Sequence, residues 1–315
     1  MLDLRRLRLL RELDARGTVH ATARALDYTP SAISQQLAVL EREAGTTLLE
    51  RTGRTLRLTD AGRLLVEHAA ALLDRMEAAE ADLAALVAGR PAGTVQIAAF
   101  QTAFLQLVAP AIARLAAEHP DIRIEAAEIE VEEAVGLLRL GHLDVVVGDE
   151  YEGVPRPVWP DLAREPLLTE QVRVMLPAHH PLAGRRSVGL ARLADAVWVG
   201  GRSSPGHREM HLRVCRERGG FEPDVRFHSD DLAIQLEMVR TTGACGLLPD
   251  LVLAHGAHGI ASPLVAGGGL GREVFTLTRR ARTPAVDVVL AALSASRTDR
   301  PGRRRDRPAT GAAAG

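Results

Sequence analysis

Two short apolar periodicities open the chain. Ala21, Ala25 and Leu26 fall on one helical face; after a turn at Asp27 and Tyr28, Ile33, Leu37 and Leu40 repeat at spacings of four and three. Thr29 is placed to cap the second helix, and Pro30 takes its first position, where a missing N–H costs nothing. Small alanines let the two helices cross closely, as in a helix-turn-helix. The polar positions complete the pattern. Ser31, Ser34, Gln35 and Gln36 point outward from the first turns of the second helix. Such side chains suit base edges in a DNA major groove, where Gln pairs bidentately with adenine. They equally suit an ordinary solvated helix pair. From Leu48 to Thr59 the pattern becomes alternating around a Thr-Gly turn, which predicts a β-hairpin, or wing. Arg51, Arg54 and Arg57 lie on and beside its tip, within reach of phosphates or a narrow minor groove.

From Thr59 to Ala88 the spacing lengthens. Leu65, Ala69, Leu72, Met76, Ala79, Leu83 and Leu86 form a heptad seam, opposite a polar face of Glu67, Asp74, Arg75, Glu77, Glu80 and Asp82. A seam of this kind packs along a second helix; the alternative is an amphipathic helix lying on its own domain. Gly89-Arg90-Pro91-Ala92-Gly93 then breaks the helix. Beyond it strands and helices alternate: strands at 94–99, 122–126 and 143–148, helices at 103–118 (kinked at Pro110) and 131–140. A second set follows, with strands at 171–176, 196–200, 225–228, 246–249 and 273–278 and helices at 205–218, 231–240 and 284–294. Apolar strands between helices predict βαβ units and a parallel sheet.

At this point the chain resembles the LysR-type transcriptional regulators. The resemblance is carried by Asp3-Leu4-Arg5-Arg6-Leu7, by Ala23 to Leu26, by the run Thr29-Pro30-Ser31-Ala32-Ile33-Ser34-Gln35-Gln36-Leu37, and by Leu40-Glu41, Gly45, Leu49-Glu50-Arg51 and Leu58-Thr59-Asp60-Ala61-Gly62. The family often carries Gln where this chain has Pro30, which shifts base reading onto Ser31, Ser34 and Gln35. Later motifs also sit where the family has similar ones: His119-Pro120-Asp121, Gly141-His142-Leu143-Asp144 and His180-Pro181-Leu182-Ala183. The fold class implied is α/β with an N-terminal all-α winged helix-turn-helix and a two-lobed periplasmic-binding-protein-like effector domain. The expected parts are a DNA-binding domain at 1–60, a dimerising linker helix at 61–90 and an effector domain at 93–296. Lobe I is expected at 93–163 and 268–296, lobe II at 164–267, and a disordered tail at 297–315. By resemblance, homodimers pair into tetramers on double-stranded promoter DNA, and Thr29, Ser31, Ala32, Ser34, Gln35, Gln36, Arg51 and Arg54 form the contact set.

Composition changes this picture little. A chain of 315 residues that is 46% hydrophobic can bury a sizeable core. No apolar run is long enough for a membrane span, no signal peptide is expected before the charged Met1 to Arg11 segment, and two cysteines argue for a reducing, cytoplasmic setting. The net charge of −1 is unevenly spread: residues 1–65 hold eleven Arg against eight Asp and Glu. Lys is absent, so all 39 basic residues are Arg.

A ligand in an open α/β fold sits beyond the carboxyl ends of strands, near helix N-termini. Three places qualify: Gln101 and Thr102; Arg202, Ser203 and Ser204; His228 and Ser229. Helix N-termini and Arg202 favour a carboxylate-bearing metabolite, whereas Glu128, Asp149 and Glu150 equally suit an amine, and the serines also suit a role as N-caps alone. Enzymatic motifs are missing. There is no phosphate-binding G-x-x-x-x-G-K, Gly267-Gly268-Gly269 lacks a strand-to-helix setting, and no cofactor is expected. His207 and His211, four apart on a helix, read as surface residues rather than metal ligands, and Cys215 and Cys245 as buried inert thiols. The sequence therefore points to an effector-controlled DNA-binding regulator, not an enzyme, the alternative being a cytosolic solute-binding sensor that reads no DNA sequence.

Overall fold

Side-chain caps start the N-terminal helices. In the computed structural model, which describes residues 1–52, 55–202, 205–255 and 258–297, α1 (Leu4–Arg16) begins where Asp3 Oδ1 accepts the N–H groups of Arg5 (2.9 Å) and Arg6 (3.2 Å). Thr18, Thr29 and Thr59 do the same for α2 (Val19–Ala25), α3 (Pro30–Ala44) and α4 (Asp60–Ala88). Asp27, with φ of 55°, makes the left-handed turn between α2 and α3. The buried face of α2 differs from the expected one: Ala25 is exposed, while Val19, Ala23 and Leu26 pack inward at i, i+4 and i+7. They meet Leu7, Leu10, Ile33, Leu37 and Leu40 in one small core.

The wing pairs β1 (Leu49–Thr52) with β2 (Thr55–Leu58), Leu49 opposite Leu58 and Thr52 opposite Thr55. The Glu41 carboxylate accepts the N–H groups of Leu48 (2.8 Å) and Leu49 (3.1 Å), so the hairpin is pinned to α3. At Gly62 a Cβ would stand 2.2 Å from the Leu48 carbonyl oxygen. Only glycine lets α4 leave the wing so closely.

The heptad seam of α4 divides. Ala69 is fully buried and Leu65 packs beside it against the chain's own N-terminal core, so these two do not belong to a free seam. Leu72, Met76, Ala79, Leu83 and Leu86 remain exposed. Asp74, expected on a solvated face, instead lies 3.4 Å from Arg279, which also reaches Asp144 at 2.9 Å. A second tie joins the fully buried Glu12 of α1 to His142 at 2.6 Å. Both ties hold the N-terminal domain to the first lobe.

That lobe contains β3 (Gly93–Ala99), α5 (Gln101–Ala103), α6 (Ala109–Glu118), β4 (Ile122–Glu128), α7 (Val131–Arg139) and β5 (Val145–Tyr151). The kink expected at Pro110 appears as a π-helical turn at Phe104–Val108 just before α6. Proline has no N–H to donate and crowds the preceding turn. The long β6 (Leu162–Pro177) leads into the second lobe, built from β7 (Ser187–Val188), β8 (Val197–Gly200), α8 (Pro205–Val214), β9 (Asp224–His228), α9 (Leu232–Thr242), β10 (Gly246–Pro249), β11 (Ile260–Ala261) and β12 (Leu264–Val265). Then β13 (Gly271–Arg279) and α10 (Pro284–Ser296) return to the first lobe.

The sheet is mixed rather than parallel. β4, β3 and β5 are parallel neighbours, but β13 comes back from the far lobe and runs antiparallel to both β5 and β6. β6 starts well before Gln171. Its first part includes Pro166, accommodated where the β13 register shifts between Val274 and Phe275. Up to Gln171 it pairs with β13; from Val172 it pairs with β10. The passage between lobes therefore lies inside this strand, not near Ala163, and the return lies at Leu270, whose carbonyl accepts Val172 N–H at 2.8 Å. Trp198, Cys215 and Cys245 sit in the second lobe's core, where burial pushes the two thiols up to about 12 and about 11. Among the described residues no helix is long and apolar enough to cross a membrane. The tail expected from Arg297 lies, beyond that residue, outside the described residues.

Candidate functional site

Two surfaces carry chemistry: the face of α3 and the cleft between the lobes. On α3, Ile33, Leu37 and Leu40 are buried, which turns Ser31, Ser34 and Gln35 to solvent, with Ala32 half-buried at the first turn. Thr29 Oγ1 accepts Ala32 N–H at 3.2 Å and lies 3.1 Å from Ser31 Oγ. Ser34 Oγ donates to the Pro30 carbonyl at 3.0 Å, leaving its lone pairs outward. Gln36 behaves differently from the expectation. It is half-buried, and its Oε1 accepts from Arg6 Nη1 at 3.3 Å, because α1 packs over that side of α3. Arg51 is at the end of β1, Arg57 is exposed on β2, and Arg54 lies outside the described residues.

The cleft opens at the carboxyl ends of β3, β5, β8 and β9, and holds about 480 Å³ of empty space including its mouth. The first lobe contributes Phe100, Gln101, Thr102, Glu130, Asp149, Tyr151 and Arg272; the second contributes Gly201, His207, Asp230, Leu232, Gln235, Leu248 and Pro249. Gln101 Oε1 accepts Leu232 N–H at 2.9 Å, a hydrogen bond from one lobe to the other. Of the ligand residues expected from sequence, Gln101, Thr102 and Asp149 line this space. Ser203 and Ser204 lie outside the described residues. Arg202 is exposed, its N–H donating to Asp230 Oδ1 at 2.7 Å. His228 is exposed, and Ser229 Oγ accepts Asp231 N–H at 3.1 Å, a turn-forming role.

Arg272, unnoticed in the sequence, is the centre of the cleft floor. It is 3% exposed. Its Nε donates to Glu170 (2.9 Å), Nη1 to Asp149 (3.2 Å) and the Tyr151 hydroxyl (3.3 Å), and Nη2 to Thr102 Oγ1 (3.0 Å) and Glu170 (2.5 Å). A guanidinium has five N–H donors, so all five are used. Asp149 also accepts from Arg156 at 3.0 Å. Glu150 pairs with Arg164 and Glu128 is exposed; neither lines the cleft. Glu130 does line it. Its carboxyl has no hydrogen bond or ion pair among the described residues, and burial, with Asp149 and Glu132 nearby, pushes it up to about 7.

The histidine pair corrects an expectation. His207 and His211 are 7% and 2% exposed, not surface residues. His211 packs edge-on against Trp198 (5.1 Å between centroids) and His207 lies 5.8 Å from Tyr151, so the helix face that carries them is the lobe core. Burial holds both below the usual imidazole range, His211 at about 3. Among the described residues no group of His, Cys, Asp and Glu is arranged to hold a metal.

Comparison with known proteins agrees with this anatomy. Residues 4–63 match the bacterial regulatory helix-turn-helix protein, lysR family, and residues 88–297 match the LysR substrate binding domain. The chain is 28% identical over 254 residues to the transcriptional dual regulator GltC of Bacillus subtilis (strain 168), covering 81% of this chain and 83% of the other. It is 30% identical over 218 residues to the RuBisCO operon transcriptional regulator of Allochromatium vinosum, covering 69% and 70%. In fold it is similar to full-length OxyR from Pseudomonas aeruginosa, with a TM-score of 0.68, 21% identity and 94% of each chain covered. With a winged helix-turn-helix, a linker helix and a two-lobed domain in this order, the chain belongs to the LysR family of DNA-binding transcriptional regulators.

Proposed function

We propose that this regulator reads an operator as a dimer, joined along α4, with the α3 helices in successive major grooves. The observation that carries the reading is the split of α3 into a buried apolar face and an exposed face of Ser31, Ser34 and Gln35. A roughly palindromic site follows from the dimer's two-fold symmetry, and pairing of dimers into tetramers holds two such sites. Full-length CbnR, whose structure with its target DNA complex has a TM-score of 0.54 to this chain (19% identity, 94% of this chain and 100% of that one), supports DNA binding by a chain of this fold. A small effector in the interlobe cleft shifts the population between two DNA-bending states. Ion pairs from Glu12 and Asp74 fix the first lobe to the N-terminal domain, so the second lobe is the part that moves. The protein works in the cytoplasm by occupancy, with no catalysis of its own.

The test is footprinting of the DNA upstream of its own gene across a salt series. Protection of an extended two-part region with a steep salt slope is expected; no protection at low salt sinks the reading in favour of a solute-binding sensor. Gln35→Ala is expected to erase about 1–3 kcal/mol of discrimination at one base pair. Arg54→Ala is expected to weaken binding to all sequences evenly and reduce the salt slope by about 1. A changed sequence preference for Arg54→Ala, at constant slope, refutes the phosphate role.

A further inference from the structure

We infer that the effector is a small cation, a primary amine whose ammonium group sits between Glu130 and Gln235. The inference rests on the cleft being the effector site and adds the chemical class of what enters it. A carboxylate finds no unengaged cation in the lining. Arg272, the cation of the lining, spends all five donors on Asp149, Glu170, Tyr151 and Thr102. Arg156, behind Asp149, is likewise engaged with Asp149 and Glu132. An arriving anion would displace one of these bonds while facing Glu130 and Asp230 across the cleft.

Two positions in the lining are open acceptors. Gln235 is 3% exposed, and its Nε2 donates to the Ser229 carbonyl at 2.6 Å. That carbonyl can only accept, so the amide orientation is fixed and Oε1 is the other terminus. Gln235 Oε1 is buried with no hydrogen-bond partner. A buried acceptor left unpaired costs stability, and a ligand N–H removes that cost. His207 adds a second acceptor: its Nε2 lies 2.6 Å from the Leu247 carbonyl, which requires the proton on that nitrogen and leaves Nδ1 a lone pair beside Gly201. Glu130, with no partner among the described residues, supplies the countercharge. Phe100, Leu232, Leu248 and Pro249 give the carbon skeleton an apolar wall. An ammonium has three donors and a single positive charge, which matches Glu130, Gln235 Oε1 and His207 Nδ1.

Calorimetric titration of the full-length protein with butylammonium, butyrate and 4-aminobutyrate at pH 8 tests this. Butylammonium is expected to bind and butyrate not. Glu130→Gln and Gln235→Met are each expected to weaken the amine about tenfold or more. Glu130, faced by Asp149, Glu132, Asp230 and Arg156, takes up a proton below about pH 7. Amine affinity in the unaltered protein should therefore fall as pH drops through 7, about tenfold per unit below it, and Glu130→Gln should lose that slope. Binding of butyrate in place of the amine, abolished by the same two variants, keeps the cleft and overturns the amine. Amine binding indifferent to both variants and to pH overturns the site itself. No amine binding by protein that still footprints its operator overturns the class while leaving the regulator intact.

Discussion

Replacing Arg272 with methionine is expected to destabilise the effector domain by about 3–5 kcal/mol, read as a lower midpoint in urea at unchanged slope. The guanidinium links two buried carboxylates, Asp149 (4% exposed) on β5 and Glu170 (6% exposed) on β6. Taking it away leaves Glu170 without a countercharge and Asp149 with Arg156 alone, in a site closed by Phe100 and Tyr151, whose rings lie 4.8 and 5.6 Å from the guanidinium carbon. The penalty arises from the orphaned carboxylates more than from lost attraction. A cycle distinguishes the two. Arg272→Met combined with Glu170→Leu should recover much of the loss, since the second change removes a charge the first had stranded. Strict additivity of the two effects would show that Arg272 contributes by packing alone. Effector response should vanish in the single variant even where it remains folded, because Arg272 fastens β13, β5 and β6 together at the point where the chain passes between lobes.

How much of this was legible follows from how local each signal is. The N-terminal domain announces itself within sixty residues: apolar spacing, threonine caps and the Thr-Gly turn are all short-range, and α3 falls where they place it. The location of the cleft was equally readable from strand ends, which is why Gln101 and Thr102 line it. Its charge was not. Arg272 meets Thr102 from 170 residues away and Glu170 from 102, and in sequence it is one arginine among 39. Gln235 likewise carries no signal of its own in the sequence; its place is visible only once the Ser229 carbonyl is seen to hold its amide. The helix carrying His207 and His211 looks polar on most sides, so only Trp198 and Tyr151, brought by other elements, reveal that this face is buried. The extent of β6 was hidden because Arg164, Glu165, Pro166 and Glu170 interrupt its apolar pattern; pairing with β13 outweighs that local reading.

The second large effect concerns assembly. Met76→Asp is expected to raise the dimer dissociation constant by at least about a hundredfold and, through it, to weaken operator binding by about 10²–10⁴. Leu72, Met76, Leu83 and Leu86 are between 44% and 79% exposed in the single chain, and they lie along one side of α4. Burying an aliphatic side chain of this size contributes about 1.5–3 kcal/mol, and a two-fold interface buries each of them twice. An aspartate at Met76 removes one of these contributions from each copy and puts a charged carboxylate into the apolar seam, where burial penalises it. Leu65 and Ala69 make poor test positions, since their loss would damage the N-terminal core instead. Glu67→Ala, on an exposed face of the same helix, is the matched control and should change neither mass nor affinity. Sedimentation gives the mass and footprinting gives the second effect. The monomer keeps its α3 contacts, so half-site protection should survive at high protein concentration while cooperative two-part protection is lost. A Met76→Asp protein that sediments as the unaltered one does would mean that the exposed leucines of α4 serve something other than self-association.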